Sequence, residues 1–75
     1  MTQHEYAVIL LRSTNHAMRV EKLLRDEGIP CKMIPVPRHI SSDCGVCVRI
    51  LRQDADAARR VVSAAHVEIE SIHAV

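Results

Sequence analysis

The chain has 75 residues and a mass of 8.4 kDa, and Lys plus Arg number 10 against 9 Asp plus Glu, which gives a net charge of +1. A chain this short buries too little surface for a second domain or a deep substrate cleft, so a single domain over residues 1–75 is expected. The balanced charge and the lone aromatic residue, Tyr6, argue against nucleic-acid binding, because neither a basic patch nor a base-stacking surface is evident.

Membrane insertion and export are also disfavoured. The longest apolar run, Tyr6–Leu11, ends at Arg12 and is far shorter than a membrane-spanning helix. The first five residues lack the basic start of a signal peptide, so we expect a cytoplasmic protein that does not contact membranes. An odd number of cysteines without an export signal predicts free thiols and not a disulfide framework; these are Cys31, Cys44 and Cys47.

The first half of the chain predicts a strand, a helix and an edge strand. The continuous apolar run Tyr6–Leu11 is typical of a central strand. Ser13, Thr14 or Asn15 can cap a helix that ends at Gly28. Its apolar stripe has helical spacing and consists of Ala17, Val20, Leu23 and Leu24. Residues 31–36 follow as an edge strand, because Pro35 and Pro37 lack amide donors.

The second half repeats this order after a polar loop, which spans residues 38–45. Apolar residues then alternate at Val46, Val48 and Ile50, as in a strand covered on one face. Asp54 can cap a second helix, whose apolar stripe consists of Ala58, Val61, Val62 and Ala65. The alternating segment Val67–Glu70 predicts a last strand.

The order β-α-β-β-α-β predicts an α+β, ferredoxin-like two-layer sandwich, with two helices on one face of a four-stranded antiparallel sheet. Right-handed crossovers place the first and third strands in the centre. The face without helices, the open face, is then expected to expose Cys47, Arg49 and alternate residues of the first strand to water or to a second subunit. We therefore expect a homodimer through this face.

Reactive side chains concentrate between Arg38 and Cys47. A thiol acts as a nucleophile only as thiolate, so it needs exposure and a cation or amide donors that lower its pKa. Cys44 lies in the polar loop beside Gly45, whose missing side chain leaves room for a partner. Arg38 or His39 could fold over the thiol, whereas the neighbouring Asp43 would raise its pKa. In the alternative interpretation, Cys44 is only a small residue at a strand start.

Cys44 and Cys47 also have the Cys-x-x-Cys spacing of dithiol redox centres and half zinc sites. A metal site would recruit His39 or Cys31, but no second such pair exists, and a strand turns residues three apart to opposite faces. Packing roles are thus expected for Cys31 and Cys47. The loop also contains Ser41 and Ser42, whose hydroxyls are expected to form hydrogen bonds with nearby backbone groups.

The block formed by Ile34–Arg38 and Ile40–Ser42, followed by Cys44 and Gly45, resembles the small selenium/sulfur carrier-like family. The chain resembles this family over nearly its whole length, and the block is the most specific part of the resemblance. The resemblance implies a bacterial-type cytoplasmic carrier that holds sulfur or selenium on Cys44 as a persulfide or selenopersulfide. It implies donor and acceptor proteins as partners, no cofactor and no turnover enzyme. Its motif neighbours around the carrier cysteine are Arg38, Ser41, Ser42 and Gly45, and Arg38 could stabilise the added anionic atom.

Two other functions compete with the carrier. One is a metal-binding or thiol redox-sensing module that uses Cys44, Cys47 and His39, with Cys31 as a further ligand. The other is an interaction or dimerisation domain in which the cysteines have no chemistry.

Overall fold

A computed structural model describes residues 5–40 and 45–75 as one four-stranded antiparallel sheet with two helices on one of its faces. The strands lie in the order β2-β3-β1-β4, so the first and third strands are central, as predicted. This is the α+β, ferredoxin-like arrangement that the sequence predicts. The elements are β1 (Tyr6–Leu10), α1 (Thr14–Asp26), β2 (Cys31–Pro35), β3 (Val46–Leu51), α2 (Ala55–Ala64) and β4 (Ser71–Ala74).

Helix α1 begins after one of its three candidate caps and ends just before Gly28, as predicted. Ser13 is the N-cap, and its hydroxyl accepts a hydrogen bond from the His16 amide at 3.3 Å. The helix ends before Gly28, whose φ of +76° is a left-handed conformation that favours glycine. Ala17, Val20 and Leu24 are fully buried against the sheet. No helix within residues 5–40 and 45–75 is long and apolar enough to cross a membrane.

Helix α2 begins differently from the prediction. Asp54 occupies the N-cap position, but its side chain makes no capping hydrogen bond. The segment Arg52–Asp54 instead forms a turn of 3-10 helix that leads directly into α2. Ala58 and Val62 are buried, which lets α2 lie close to the sheet as the alanine-rich stripe predicted.

The last strand lies further along the chain than predicted. Residues 67–70 alternate because Val67 and Ile69 pack against the core below the helices, not because they pair with β1. Hydrogen bonding to β1 begins only where the Glu70 amide donates to the Leu10 carbonyl at 2.7 Å. The strand itself is Ser71–Ala74, paired antiparallel with β1. The prediction of a strand at Val67–Glu70 was therefore wrong, because the last strand begins only at Ser71.

The main core lies between the helices and the sheet. Alternate residues of the two central strands point into it, among them Ile9 and its pairing partner Val48, both fully buried. Two side chains of β2, Cys31 and Met33, pack at its edge.

A second, smaller core lies on the open face. It consists of Val8, Leu10 and Cys47, with Ile34, Val36, Ile40 and Val75 packed against it. Cys47 and Val8 are fully buried and Leu10 is 2% exposed within a single chain. The expectation that Cys47 and alternate residues of β1 meet water or another subunit was thus wrong for Cys47, Val8 and Leu10. Of the β1 residues on this face, Tyr6 at the start of the strand is exposed. The prediction failed because the chain after β2 folds back over this face.

Candidate functional site

The predicted carrier site belongs to the connection between β2 and β3, here called the β2–β3 loop (residues 36–45). Its base continues the hairpin: Pro35 pairs with Val46, and the Val36 amide donates to the Gly45 carbonyl at 3.2 Å. Three of the predicted site residues, Ser41, Ser42 and Cys44, lie outside the described residues, as does Asp43, the neighbour expected to raise the thiol pKa. The structure therefore fixes the two ends of the loop, and the role of Cys44 stays a prediction.

The first half of the loop is a turn that is anchored to the second core. The Ile40 amide donates to the Pro37 carbonyl at 3.0 Å, and Val36 and Ile40 both pack against the buried side chains of the open face. Between these anchors, Arg38 and His39 are exposed to solvent. The turn thus presents a guanidinium and an imidazole at the surface.

Gly45, at the other end of the loop, is exposed and has open space around it. A Cβ built there would meet no atom of the described chain within 4 Å, apart from its own neighbours. Its φ lies outside the left-handed range, whereas that of Gly28 lies inside it. The fold in the described region therefore gives no steric reason for glycine at this position, and the open space remains available to a partner.

Cys47 is a core residue. It is fully buried, and its Sγ lies 4.0 Å from the Pro35 carbonyl oxygen, to which the thiol donates. Ile34 and Leu10 are its pairing partners on the two neighbouring strands. The expected packing role of Cys47 is confirmed.

Cys31 lies on the opposite side of the sheet, beside helix α1. Its thiol donates to the Glu21 carbonyl at 3.5 Å. Burial raises the pKa of the Cys31 thiol, and the nearby Glu21 carboxylate raises it further, while Arg25 opposes both effects through a hydrogen bond and its charge. Arg25 is itself held by Glu21 at 3.3 Å.

The sheet separates these two thiols, because Cys31 packs with the main core and Cys47 belongs to the second core. They cannot ligate one metal ion together, so the set that combined Cys31 with Cys47 was wrong. His39 is exposed, whereas Cys47 is fully buried. Across residues 5–40 and 45–75, no group of three His, Cys, Asp or Glu side chains is placed to hold a metal ion.

The anchoring role of Val36 and Ile40 was not predicted. Polar residues dominate the segment between Pro37 and Gly45, which indicated a solvated loop. The available signal was the pair of β-branched apolar residues on either side of the Pro37 turn. Side chains of this kind are seldom left in water when an apolar surface lies nearby.

Comparison with known proteins agrees with the resemblance in the loop motif. The family model described as "Putative Se/S carrier protein-like" matches residues 5–74, which include every strand and both helices. A search among curated proteins found no match, and a search among solved structures found none either. Because the family model spans nearly the whole chain, this protein belongs to the Se/S carrier protein-like family.

Proposed function

We propose that this protein carries sulfur or selenium as a persulfide or selenopersulfide on Cys44 and passes it between partner proteins. The observation that carries the proposal is the family match over residues 5–74. The proposed role needs no cofactor and no catalytic turnover, because the protein only receives an atom and later gives it up. We place this activity in the cytoplasm.

The transfer needs one nucleophilic thiolate. The Cys44 thiolate attacks the terminal sulfur of a donor persulfide, R–S–SH. The donor S–S bond breaks, its electron pair leaves on the inner sulfur as R–S⁻, and the terminal sulfur with its proton becomes Cys44–S–SH. An acceptor thiolate repeats the same exchange on the terminal atom. No external oxidant or reductant is consumed, and selenium follows the same path as the terminal atom.

The two other cysteines support the assignment to Cys44 because neither suits this chemistry. Cys47 is fully buried, so a donor protein cannot reach its sulfur. Cys31 is half-buried, and burial raises its thiol pKa, which lowers the fraction of thiolate at neutral pH. Only Cys44 remains as a candidate among the three.

The ends of the loop are built in a way that suits a carrier. The Val36–Gly45 hydrogen bond and the packing of Ile40 hold both described ends against the sheet. Arg38 stands exposed on the turn, where its guanidinium could approach an added anionic sulfur.

A carrier interacts with donor and acceptor proteins, whereas a homodimer through the open face gains little support. The centre of that face is already covered by the chain's own Val36, Ile40 and Val75. The apolar area left for a second copy is therefore smaller than the sequence indicated. The expected homodimer stays a prediction, to be checked by sedimentation.

The direct test is intact mass spectrometry after incubation with a cysteine desulfurase and free cysteine. We expect one added sulfur atom in the native protein and none in Cys44→Ser. Reduction with a thiol should remove the added atom, because a persulfide is cleaved by thiol exchange.

The matched controls are Cys31→Ala and Cys47→Ala, which remove the other two thiols one at a time. Alanine is preferred to serine at Cys47 because a hydroxyl in a fully buried site would need a new hydrogen-bond partner. Both controls should keep the adduct. An adduct that survives in Cys44→Ser but disappears in either control would contradict the proposal.

A further inference from the structure

Two cations stand directly opposite each other on the open face. Lys32 of β2 pairs with Arg49 of β3, and the same row continues across the sheet to Val8 and His73. Like charges in directly opposed positions destabilise a sheet. Neither cation has a carboxylate within salt-bridge distance in the described part of the chain. Among the described residues, no carboxylate therefore neutralises this pair of cations.

The Arg49 guanidinium is held in place by an aromatic ring. Its central carbon lies 4.3 Å from the centroid of Tyr6, which is a cation–π distance. Arg49, Lys32 and Tyr6 line an open depression of about 250 Å³ beside the start of β2. A guanidinium fixed in this way loses less freedom on binding and still offers its N–H groups to a carboxylate.

The charges of the molecule are unevenly distributed. Within residues 5–40 and 45–75, no strand carries an Asp or Glu, while two strands carry a Lys or Arg. The acidic residues of the described segments lie on the helices or in the segments between elements; they are Glu5, Glu21, Asp26, Glu27, Asp54, Asp56, Glu68 and Glu70. Although the net charge of the chain is only +1, the charged side chains that the described strands place on the open face are cationic: Lys32 and Arg49.

From this distribution we infer that the open face around Lys32, Arg49 and Tyr6 docks an acidic segment of a partner protein, with a carboxylate seated between the two cations. A carboxylate there removes the repulsion between Lys32 and Arg49 and accepts hydrogen bonds from both. Electrostatic complementarity of this kind gives specificity and speeds encounter.

Other occupants fit the observations less well. A second copy of this chain would bring the same two cations against the first pair, and they repel. Nucleic acid would need a longer basic track and a free aromatic face, but Arg49 already covers one face of Tyr6. An acidic peptide needs only the two cations and the depression beside them.

The docking surface also lies within reach of the loop. Arg49 lies in β3, four residues after Gly45, which corresponds to about 13 Å of extended chain. A partner held on the open face could therefore contact the β2–β3 loop at the same time. This last step rests on the proposed carrier function, whereas the docking of an acidic segment does not.

The test is a titration of ¹⁵N-labelled Cys44→Ser protein with capped hexaglutamate, followed by NMR. The serine background removes thiol chemistry from the measurement. We expect shifts concentrated at Tyr6, Lys32 and Arg49, and an affinity that falls when salt is raised to about 0.15 M. In Lys32→Gln/Arg49→Gln the dissociation constant should rise about fivefold or more, the effect of losing two exposed ion pairs.

The matched control is Arg59→Gln/Arg60→Gln, which removes the same charge from exposed positions on α2 and should leave the affinity unchanged. Equal weakening in both double variants, no measurable binding, or shifts spread over the helices would overturn the proposal. Equal or tighter binding of a single-stranded DNA oligonucleotide or of anionic vesicles would also overturn it. Sulfur loading of Lys32→Gln/Arg49→Gln with Cys44 intact is measured separately, so failure of the carrier function is distinguishable from failure of docking.

Discussion

The second core on the open face can be tested by truncating Leu10. This side chain is 2% exposed and packs beside Cys47, on the face that has no helices. If the face were open to water, Leu10→Ala would change the free energy of unfolding by no more than about 0.5 kcal/mol. With the second core in place, the substitution removes buried methyl and methylene groups and leaves a cavity.

The expected cost is large relative to the stability of so short a chain. Truncating a buried leucine to alanine costs about 2–5 kcal/mol. A domain of 75 residues has a total free energy of unfolding of about 4–11 kcal/mol. Leu10→Ala should therefore lower the melting temperature by about 8 °C or more. Urea denaturation followed by circular dichroism measures the change directly.

A control and a milder variant make the result interpretable. Met18, which is 55% exposed on α1, provides the control: Met18→Ala should stay within about 0.5 kcal/mol of the native value. If Leu10→Ala does not fold, Ile34→Val removes one methylene from the same core at a cost of up to about 1 kcal/mol. A loss below about 1 kcal/mol in a folded Leu10→Ala would refute the second core.

Four further outcomes follow from the same structure. Ser13→Ala should cost about 1 kcal/mol in urea denaturation because it removes the α1 cap, and no loss would contradict the cap. Gly28→Ala should destabilise by about 1 kcal/mol because of its left-handed φ, whereas Gly45→Ala should leave stability unchanged and slow sulfur loading from a donor protein. Equal effects of the two glycine substitutions on stability would contradict this contrast. Cys31 should alkylate more slowly than free cysteine at about pH 8, measured with Cys44→Ser/Cys47→Ala, because its pKa is raised. Since the folded chain holds this proton more tightly than the unfolded chain does, the Cys31 contribution to stability should fade as pH rises through the alkaline range; faster alkylation than free cysteine would contradict the pKa direction.

Periodicity predicted the fold well where each element has one buried side. The stripe of Ala17, Val20 and Leu24 correctly predicted the buried face of α1, and the continuous apolar run of β1 correctly predicted a central strand. Prolines at the end of β2 correctly marked an edge. These signals are local, because hydrophobic spacing and missing amide donors act within a few residues.

The prediction failed where the deciding contact joins distant parts of the chain. Apolar and polar residues alternate at Val67 and Ile69 because these two side chains contact the main core, not because they belong to a strand. The hydrogen bond from the Glu70 amide to the Leu10 carbonyl shows where β4 begins. The burial of Cys47 depends on Val36 and Ile40 folding back across the sheet. No local pattern around Cys47 carries that information. For the candidate site, the sequence motif drew attention to the loop, and the structure adds how its ends are held.

The second core gives the carrier proposal a physical basis that the motif alone lacks. A loop that presents a reactive sulfur to partners should lie at the surface, yet a freely moving loop would pay conformational entropy each time a partner orders it. Here Val36 and Ile40 bury apolar surface against Leu10 and Cys47, so part of this ordering is already done in the unbound chain. Cys47 then serves the loop as a packing residue, one strand position beyond Val46 and three residues from Cys44. Its thiol is best understood as part of the support, while the transferred atom would sit on Cys44.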